Sequence, residues 1–384
     1  MRVLLLSSLW PPNVLGGAEL HAAALADRLV AAGHDVGVVT YGSPGARVIA
    51  EVPARPYPLH EFASQPASKR AVMHLRDVWN PATGRILEEA IRAFRPDVVH
   101  SHTVQGMSAV ALARPGRLGI PHVHTCHDYW LLCQRTAMVT RDGEACDTPC
   151  RGCAAITAVR DRQVRGHAPD VVLAVSRAVA LEHGRVPWAV DRTRVLYNPV
   201  EPAPAPRPAR THAGSGPVFG YLGQLSTHKG VATMLDAFGR AGIPGARLLI
   251  GGRGPLADAV VAARGGVEPL GWLDGAAKEQ LLADIDCLVV PSEWQDPAPI
   301  VLNEARARGI PVIGTQMGGI PELVAPEAAP LLVPARDPDA LAGSLATFAA
   351  DPDRYRAEPA LAPLDWAGHL EGLIEAYRDA GARG

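Results

Sequence analysis

The sequence predicts an α/β protein built from two parallel-sheet domains. Short apolar runs recur along the chain, each followed by a glycine-rich or polar turn and then a stretch with helical periodicity. That is the pattern of parallel strands joined by crossover helices. The pattern halts at a proline-rich stretch, residues 200–217, and then restarts. The chain has 384 residues, more than one hydrophobic core usually supports.

Composition narrows the class. An apolar fraction of 48% with 20% charged residues fits a soluble globular protein. The net charge of -2 argues against a nucleic-acid partner, whose binders are usually basic. The opening run, Met1–Leu6, is too short for a secretory leader, and no apolar stretch reaches the 18 residues of a membrane span. A cytoplasmic location is therefore expected, and with it thiols or metal ligands rather than disulfides for the six cysteines.

In chain order, Arg2–Leu6 reads as a buried strand and Ser7–Leu15 as a loop. Gly16-Gly17-Ala18-Glu19 opens a helix to about Ala32, and Val36–Thr40 is the second strand. Glycines at a helix start let the backbone approach an anion closely; the spacing is not GxGxxG, and a plain turn fits equally well. Residues 41–68 read as loop. Lys69–Phe94 is helical with a break at Asn80-Pro81. Asp97–His100, Pro121–Thr125 and Val171–Val175 are strands, whose ends carry His102, His127 and Ser176 toward one crevice of an open sheet.

Between His127 and the Val171 strand lie Cys133, Cys146, Cys150 and Cys153. Four thiolates within 21 residues would wrap one zinc ion tetrahedrally. The last three also match the spacing of a radical-enzyme iron–sulfur motif. Unmetallated thiols and disulfides stand as the other readings. Cys126 and Cys287 are flanked by strand residues and stand apart from the set.

Past the linker, Val218–Leu222 is a strand leading through Gly223-Gln224 to Lys229-Gly230. Arg247–Ile250 ends in Gly251-Gly252-Arg253-Gly254, and Val267–Leu270 precedes Gly271-Trp272. Glycine-rich strand ends with Lys229 and Arg253 describe an anion-binding crevice, and no GxxxxGK[ST] loop for nucleotide hydrolysis occurs. Cys287–Val290 is a strand. After it Asp296 precedes a helix running from Pro299 to Arg308, and Glu304 lies on that helix's second turn. Two carboxylates on a strand–loop–helix turn can accept bonds from ligand hydroxyls while the helix start donates N–H groups to an anion. An acidic helix start with one exposed Glu is the plainer reading. Ile310–Ile313 is the next strand, and Trp366–Arg378 is an amphipathic terminal helix.

Taken together these motifs resemble glycosyltransferase family 4, the retaining, nucleotide-sugar-dependent enzymes of GT-B fold. The carrying residues are Asp296-x7-Glu304, Gly16-Gly17-Ala18-Glu19, His127-Asp128, Asn198-Pro199-Val200, Lys229-Gly230 and Gly318-Gly319-Ile320-Pro321-Glu322. The resemblance implies two Rossmann-like domains facing across a cleft. Residues 1–199 would form the acceptor domain with its cysteine-rich insert 133–153, followed by the linker 200–217. The donor domain would be 218–360, and a C-terminal helix, 361–384, would pack back on the first domain.

It implies roles as well. Glu304 would bond the ribose of the nucleotide, Asp296 the donor sugar, and the amides of Ile300 and Val301 the sugar or phosphate. Lys229 would hold the diphosphate, approached by Gly16 and Gly17 from the other domain. Arg253 and Trp272 would border the nucleobase. His127 would lie beside the transferred sugar, with Glu19 and His102 on the acceptor side. Gln224 stands where the family usually has Arg, and Asp296 where it usually has Glu. No catalytic metal is expected beyond the structural zinc.

The acceptor would be a small natural product such as an aminocyclitol, or a cell-surface glycan or lipid intermediate met at a membrane surface through Lys69, Arg70 and Arg76. A nucleotide-sugar 2-epimerase of similar architecture and a non-catalytic sugar-nucleotide or metal-sensing protein are the alternatives. Transfer to an added alcohol separates the first, and donor turnover the second.

Overall fold

The computed structural model describes residues 1–384 apart from 15, 42–46, 53–65, 141–144, 147, 204–215 and 384. Most of the expected linker and most of the expected loop 41–68 therefore lie outside the described residues. The chain forms two units. One comprises Met1–Met138, Asp147–Asn198 and Ala367–Gly384, the other Val139–Cys146 and Pro199–Trp366.

The first unit holds β1 (Arg2–Leu6), α1 (Gly17–Ala31), β2 (Asp35–Tyr41), β3 (Val48–Val52), α2 (Ala67–Val78), α3 (Pro81–Phe94) and β4 (Val98–Ser101). After these come α4 (Val110–Arg117), β5 (His122–Cys126), α5 (Arg151–Val164), β6 (Val171–Ala174), α6 (Arg177–His183) and β7 (Thr193–Val195). Its seven strands order as β3-β2-β1-β4-β5-β6-β7, all parallel. Val3 to Leu6 are fully buried, as a central strand covered on both faces requires. The break at Asn80-Pro81 is a helix start: the Thr83 amide donates to the Asn80 side chain, and Pro81 takes the first helical position.

One expectation needs correction. Val48–Val52 lies inside the stretch read as loop, yet it forms β3 on β2. Val-Ile-Ala-Glu-Val at a sheet edge has a single neighbour and no clean alternation, so little of its strand character shows in sequence.

The second unit holds β8 (Val218–Leu222), α7 (Val231–Ala241), β9 (Arg247–Gly251), α8 (Ala257–Ala262), β10 (Val267–Gly271), α9 (Gly275–Asp284) and β11 (Cys287–Val290). It continues with α10 (Ile300–Arg306), β12 (Val312–Thr315), α11 (Ile320–Leu323), β13 (Leu332–Val333) and α12 (Pro338–Ala350). Its parallel sheet orders as β10-β9-β8-β11-β12-β13. The last helix, α13 (Trp366–Asp379), belongs mostly to the first unit. There it buries His369, Leu373, Ala376 and Tyr377. The Tyr377 hydroxyl meets His100 Nδ1 at 2.9 Å, and His369 Nδ1 donates to the Tyr197 carbonyl at 2.9 Å.

In each sheet the strand order reverses once, between β1 and β4 in the first and between β8 and β11 in the second. Crossovers leave such a point in opposite directions, so the strand ends there open a crevice. Among the described residues no helix is long and apolar enough to cross a membrane.

Candidate active site

The loops leaving β8 and β11 meet at the second unit's reversal point. The β8 loop carries Gln224 and Lys229 and ends at Gly230, in the left-handed region at φ +71°. A Cβ on Gly230 would stand 1.8 Å from the Pro291 carbonyl oxygen. Only glycine permits that approach, which brings Lys229 against the β11 loop. Lys229 Nζ donates to Asp296 Oδ2 at 2.6 Å, and Ser292 Oγ donates to the same oxygen at 2.9 Å. Asp296 is 3% exposed, and the Lys229 ammonium also lies 5.0 Å from the Trp294 ring centroid.

The Gly318-Gly319 turn holds this loop from behind. A Cβ on Gly318, at φ +56°, would fall 2.2 Å from the Asp296 carbonyl oxygen. The Gly319 amide donates to that oxygen at 2.8 Å, and the Gly318 amide to the Gln295 side chain at 2.9 Å.

Asp296 precedes α10 by a short loop, so the first-turn amides of Ile300 and Val301, which have no partner within the helix, lie close to it in the chain. Glu304, half-buried on the same helix, accepts from Lys278 Nζ of α9 at 2.5 Å. Both carboxylates of the acid-x7-acid motif thus hold a lysine. Arg253 and Trp272, expected at the base, form one exposed stack, with the guanidinium 4.4 Å from the ring centroid. Gln224 is exposed, and its carbonyl accepts from the Tyr221 hydroxyl at 2.7 Å.

In the first unit, β4 and β5 are parallel neighbours, with Ser101 opposite His124. Their first following residues of note, His102 and His127, meet with Nδ1 to Nε2 at 3.0 Å. His21 of α1 stands with ring centroids 5.9 Å from His102 and 5.2 Å from His127. Burial first, and neighbouring imidazoles second, hold all three well below the ordinary histidine value, so they are neutral at pH 7. Burial pushes the adjacent Asp128 carboxyl up to about 6.

Glu19, expected on the acceptor side, is buried and accepts from the Gly16 amide at 2.9 Å. This half of a capping box shapes the Gly16-Gly17 turn. Ser176, read as a crevice residue, is a buried helix cap whose Oγ accepts from Val179 N at 3.2 Å.

Sequence reading missed the residues that hold the two histidine loops. Arg160 of α5, 2% exposed, pairs with Asp77 of α2 at 2.5 Å and stacks 3.8 Å from the Trp130 ring centroid. Asp77 also accepts from Trp130 Nε1 at 3.0 Å and from the Gly106 amide at 2.6 Å. One buried ion pair therefore ties the loop after His102 to the loop after His127. An arginine and an aspartate 83 residues apart leave no local pattern that could announce the pair.

Three of the four cysteines fit a metal in part. Cys133 and Cys153 bring their sulfurs to 3.9 Å, and two thiolates on one tetrahedral zinc stand about 3.8 Å apart. Cys150 caps α5, accepting from the Cys153 amide at 3.5 Å, a bond that lowers its thiol from the ordinary value. Cys146 is half-buried beside Ala145, which bridges to Val139. Among the described residues, one set of three His, Cys, Asp or Glu ligand atoms lies wholly within 4.8 Å: His21, His102 and His127.

Two family models match the chain: Glycosyltransferase Family 4 over residues 15–203 and Glycosyl transferases group 1 over residues 216–351. Alpha-maltose-1-phosphate synthase of Mycolicibacterium smegmatis is 29% identical, with 100% of both chains covered. The 2-deoxystreptamine N-acetyl-D-glucosaminyltransferase of Streptomyces fradiae is 28% identical over 97% of this chain and 94% of its own. Among solved structures, sucrose-phosphate synthase of Thermosynechococcus elongatus superposes with TM-score 0.74 at 21% identity, covering 98% of each chain. HepE of Anabaena, in complex with UDP and glucose, does so with TM-score 0.69 at 18% identity, covering 98% of this chain and 99% of its own.

Proposed function

From the premise that the chain is a glycosyltransferase of the family 4 type with two Rossmann-like units, we propose that it moves a sugar, with retention, from a nucleotide-diphosphate-sugar to an acceptor hydroxyl. The observation that carries this is the Lys229–Asp296 pair at the β8/β11 reversal point, beside the start of α10. Transfer develops negative charge on the departing diphosphate and positive charge at the anomeric carbon. Lys229 and the Ile300 and Val301 amides stabilise the first. Asp296 orients the sugar hydroxyls and holds the Lys229 ammonium in place beside the diphosphate. His127 borders the sugar as a neutral imidazole. The departing phosphate takes the acceptor proton, so no carboxylate nucleophile is required, unlike a retaining glycosidase. The UDP bound by HepE supports the same donor class.

The decisive experiment is a thermal-shift screen of nucleotide-diphosphate-sugars, followed by product mass spectrometry with pooled acceptors. An α-linked product from an α-linked donor is expected, and a β-linked product or donor isomerisation without transfer overturns the reading. Aminocyclitols come first in the pool, following the Streptomyces fradiae relative's acceptor. Lipid-borne acceptors form the second arm, because α2 exposes Val72 and Leu75 along with Lys69 and Arg76, and Trp79 just after it is exposed too.

Glu304→Gln is expected to weaken nucleotide binding by roughly 1.5–3 kcal/mol, the scale of a hydrogen bond to a charged group. Gln keeps the shape but loses the charge that also holds Lys278. Calorimetry giving an unchanged affinity would contradict the ribose role.

The cysteines are proposed to hold one structural zinc through Cys133, Cys150 and Cys153, with Cys146 as the fourth ligand. The ion would order the segment after His127 with little core volume. Protein purified without added metal and dialysed should retain about one zinc per chain, lost in Cys150→Ser. Metal-free protein with all six thiols freely titratable refutes the site.

A further inference from the structure

We propose that His21, His102 and His127 form a second metal site, a three-imidazole site for a divalent transition-metal ion, and that its occupation shuts off transfer. The three residues come from separate elements of one unit: α1, the end of β4 and the end of β5. One ligand atom from each falls within 4.8 Å of the other two. Nitrogens around a tetrahedral zinc stand about 3.4 Å apart. His102 Nδ1 and His127 Nε2, at 3.0 Å, are already inside that span, so only His21 must move inward.

Packing around the three is firm. His100 lies tilted against His102 with centroids 4.1 Å apart, and its own nitrogens are held by the Tyr377 and Thr125 hydroxyls. His369 meets His21 edge-on at 5.1 Å. His102 is 2% exposed, and its Nε2 has no hydrogen-bond partner among the described residues. Coordination through Nδ1 places the ring proton of the neutral imidazole on Nε2.

Three histidines leave the fourth tetrahedral position open for water. The ion would then sit where His127 is proposed to meet the donor sugar, so binding and transfer exclude each other. The inhibition half of the proposal rests on the proposed role of His127. The binding half does not.

Cobalt(II) tests both halves. Imidazole-bound cobalt shows visible d–d bands, and thiolate ligands add intense near-ultraviolet charge-transfer bands, so the cysteine set announces itself separately. Titration of the full chain should give thiolate-free d–d bands saturating near one ion, unchanged in Cys150→Ser. His21→Ala and His102→Ala should each weaken that binding by more than about 10-fold, the smaller loss that even an outer-shell partner causes. Each variant's thermal melt reports folding; should His102→Ala not fold, His21→Ala carries the test. Absence of the bands in the parent protein, or their persistence in a folded His21→Ala variant, overturns the site. Loss of transfer should track the spectral titration, and transfer at full occupancy overturns the inhibition alone. Bands present in a protein that moves no sugar would uphold the metal site while sinking the transferase reading.

Discussion

Lys229→Ala is expected to lower turnover at saturating donor by on the order of 10²-fold or more, with a smaller effect on donor affinity. The diphosphate gains charge toward the transition state, so a cation held against it acts mainly there. Gln224 stands where the resemblance leads one to expect arginine, which leaves Lys229 as the side-chain cation of this loop. The substitution also strands Asp296, 3% exposed, without its partner, and an unpaired buried carboxylate is destabilising in itself. The double variant Lys229→Ala/Asp296→Asn separates the two effects. It should recover thermal stability and remain slow. Near-parental turnover in Lys229→Ala would sink the role, and recovery of turnover in the double variant would reduce Lys229 to a structural partner. Gln224→Arg is expected to be tolerated or to raise activity.

The first unit is expected to lose stability steeply as pH falls below about 6.5. Three core histidines set the direction. His122 and His124 are held down at about 3 and His183 at about 4, in each case chiefly by burial. Their hydrogen bonds fix neutral tautomers. His122 Nδ1 donates to the Leu112 carbonyl at 3.1 Å, so its Nε2 accepts from Ser101 Oγ at 2.8 Å. Ser101 Oγ then accepts from His124 Nδ1 at 2.9 Å. His183 Nδ1 donates to the Val179 carbonyl at 2.9 Å, and its Nε2 is buried without a hydrogen-bond partner among the described residues.

Between the ordinary value and the native one, the unfolded chain binds protons that the native fold refuses. Stability is therefore full above about pH 6.5 and is lost as pH falls, by up to about 1.4 kcal/mol per pH unit for each histidine. Asp128, pushed up to about 6, works the other way below that pH, one carboxyl against these three and the other imidazoles held low, His21, His100, His102, His127 and His369. Thermal unfolding from pH 7.5 to 5 should show a continuous drop in Tm, shallower in His183→Gln. A flat profile would mean that the buried imidazoles take up protons inside the fold.

The candidate residues of the two units are legible in sequence to different degrees. Asp296, Glu304 and Lys229-Gly230 stand out because the chemistry proposed for them needs fixed residue types at a fixed distance from a strand end. The β11–α10 turn supplies that distance locally. His102 and His127 are visible for the same reason, one after each of two apolar runs. Ser176 caps α6 instead of facing a crevice, and a strand-end serine looks alike in sequence in either setting.

The sequence by itself determined the class of this protein: two runs of parallel strands, an acid-x7-acid turn, and a lysine after a glycine-bounded strand. Local spacing sets all of these. Tertiary structure alone decided that Lys229 rests on Asp296 and Lys278 on Glu304, that Asp77 and Arg160 clamp the two histidine loops, and that His21 joins His102 and His127. Those partners come from different crossovers, and contact between them depends on strand order. β1 lies between β2 and β4, and β8 between β9 and β11, an order that a linear pattern does not encode.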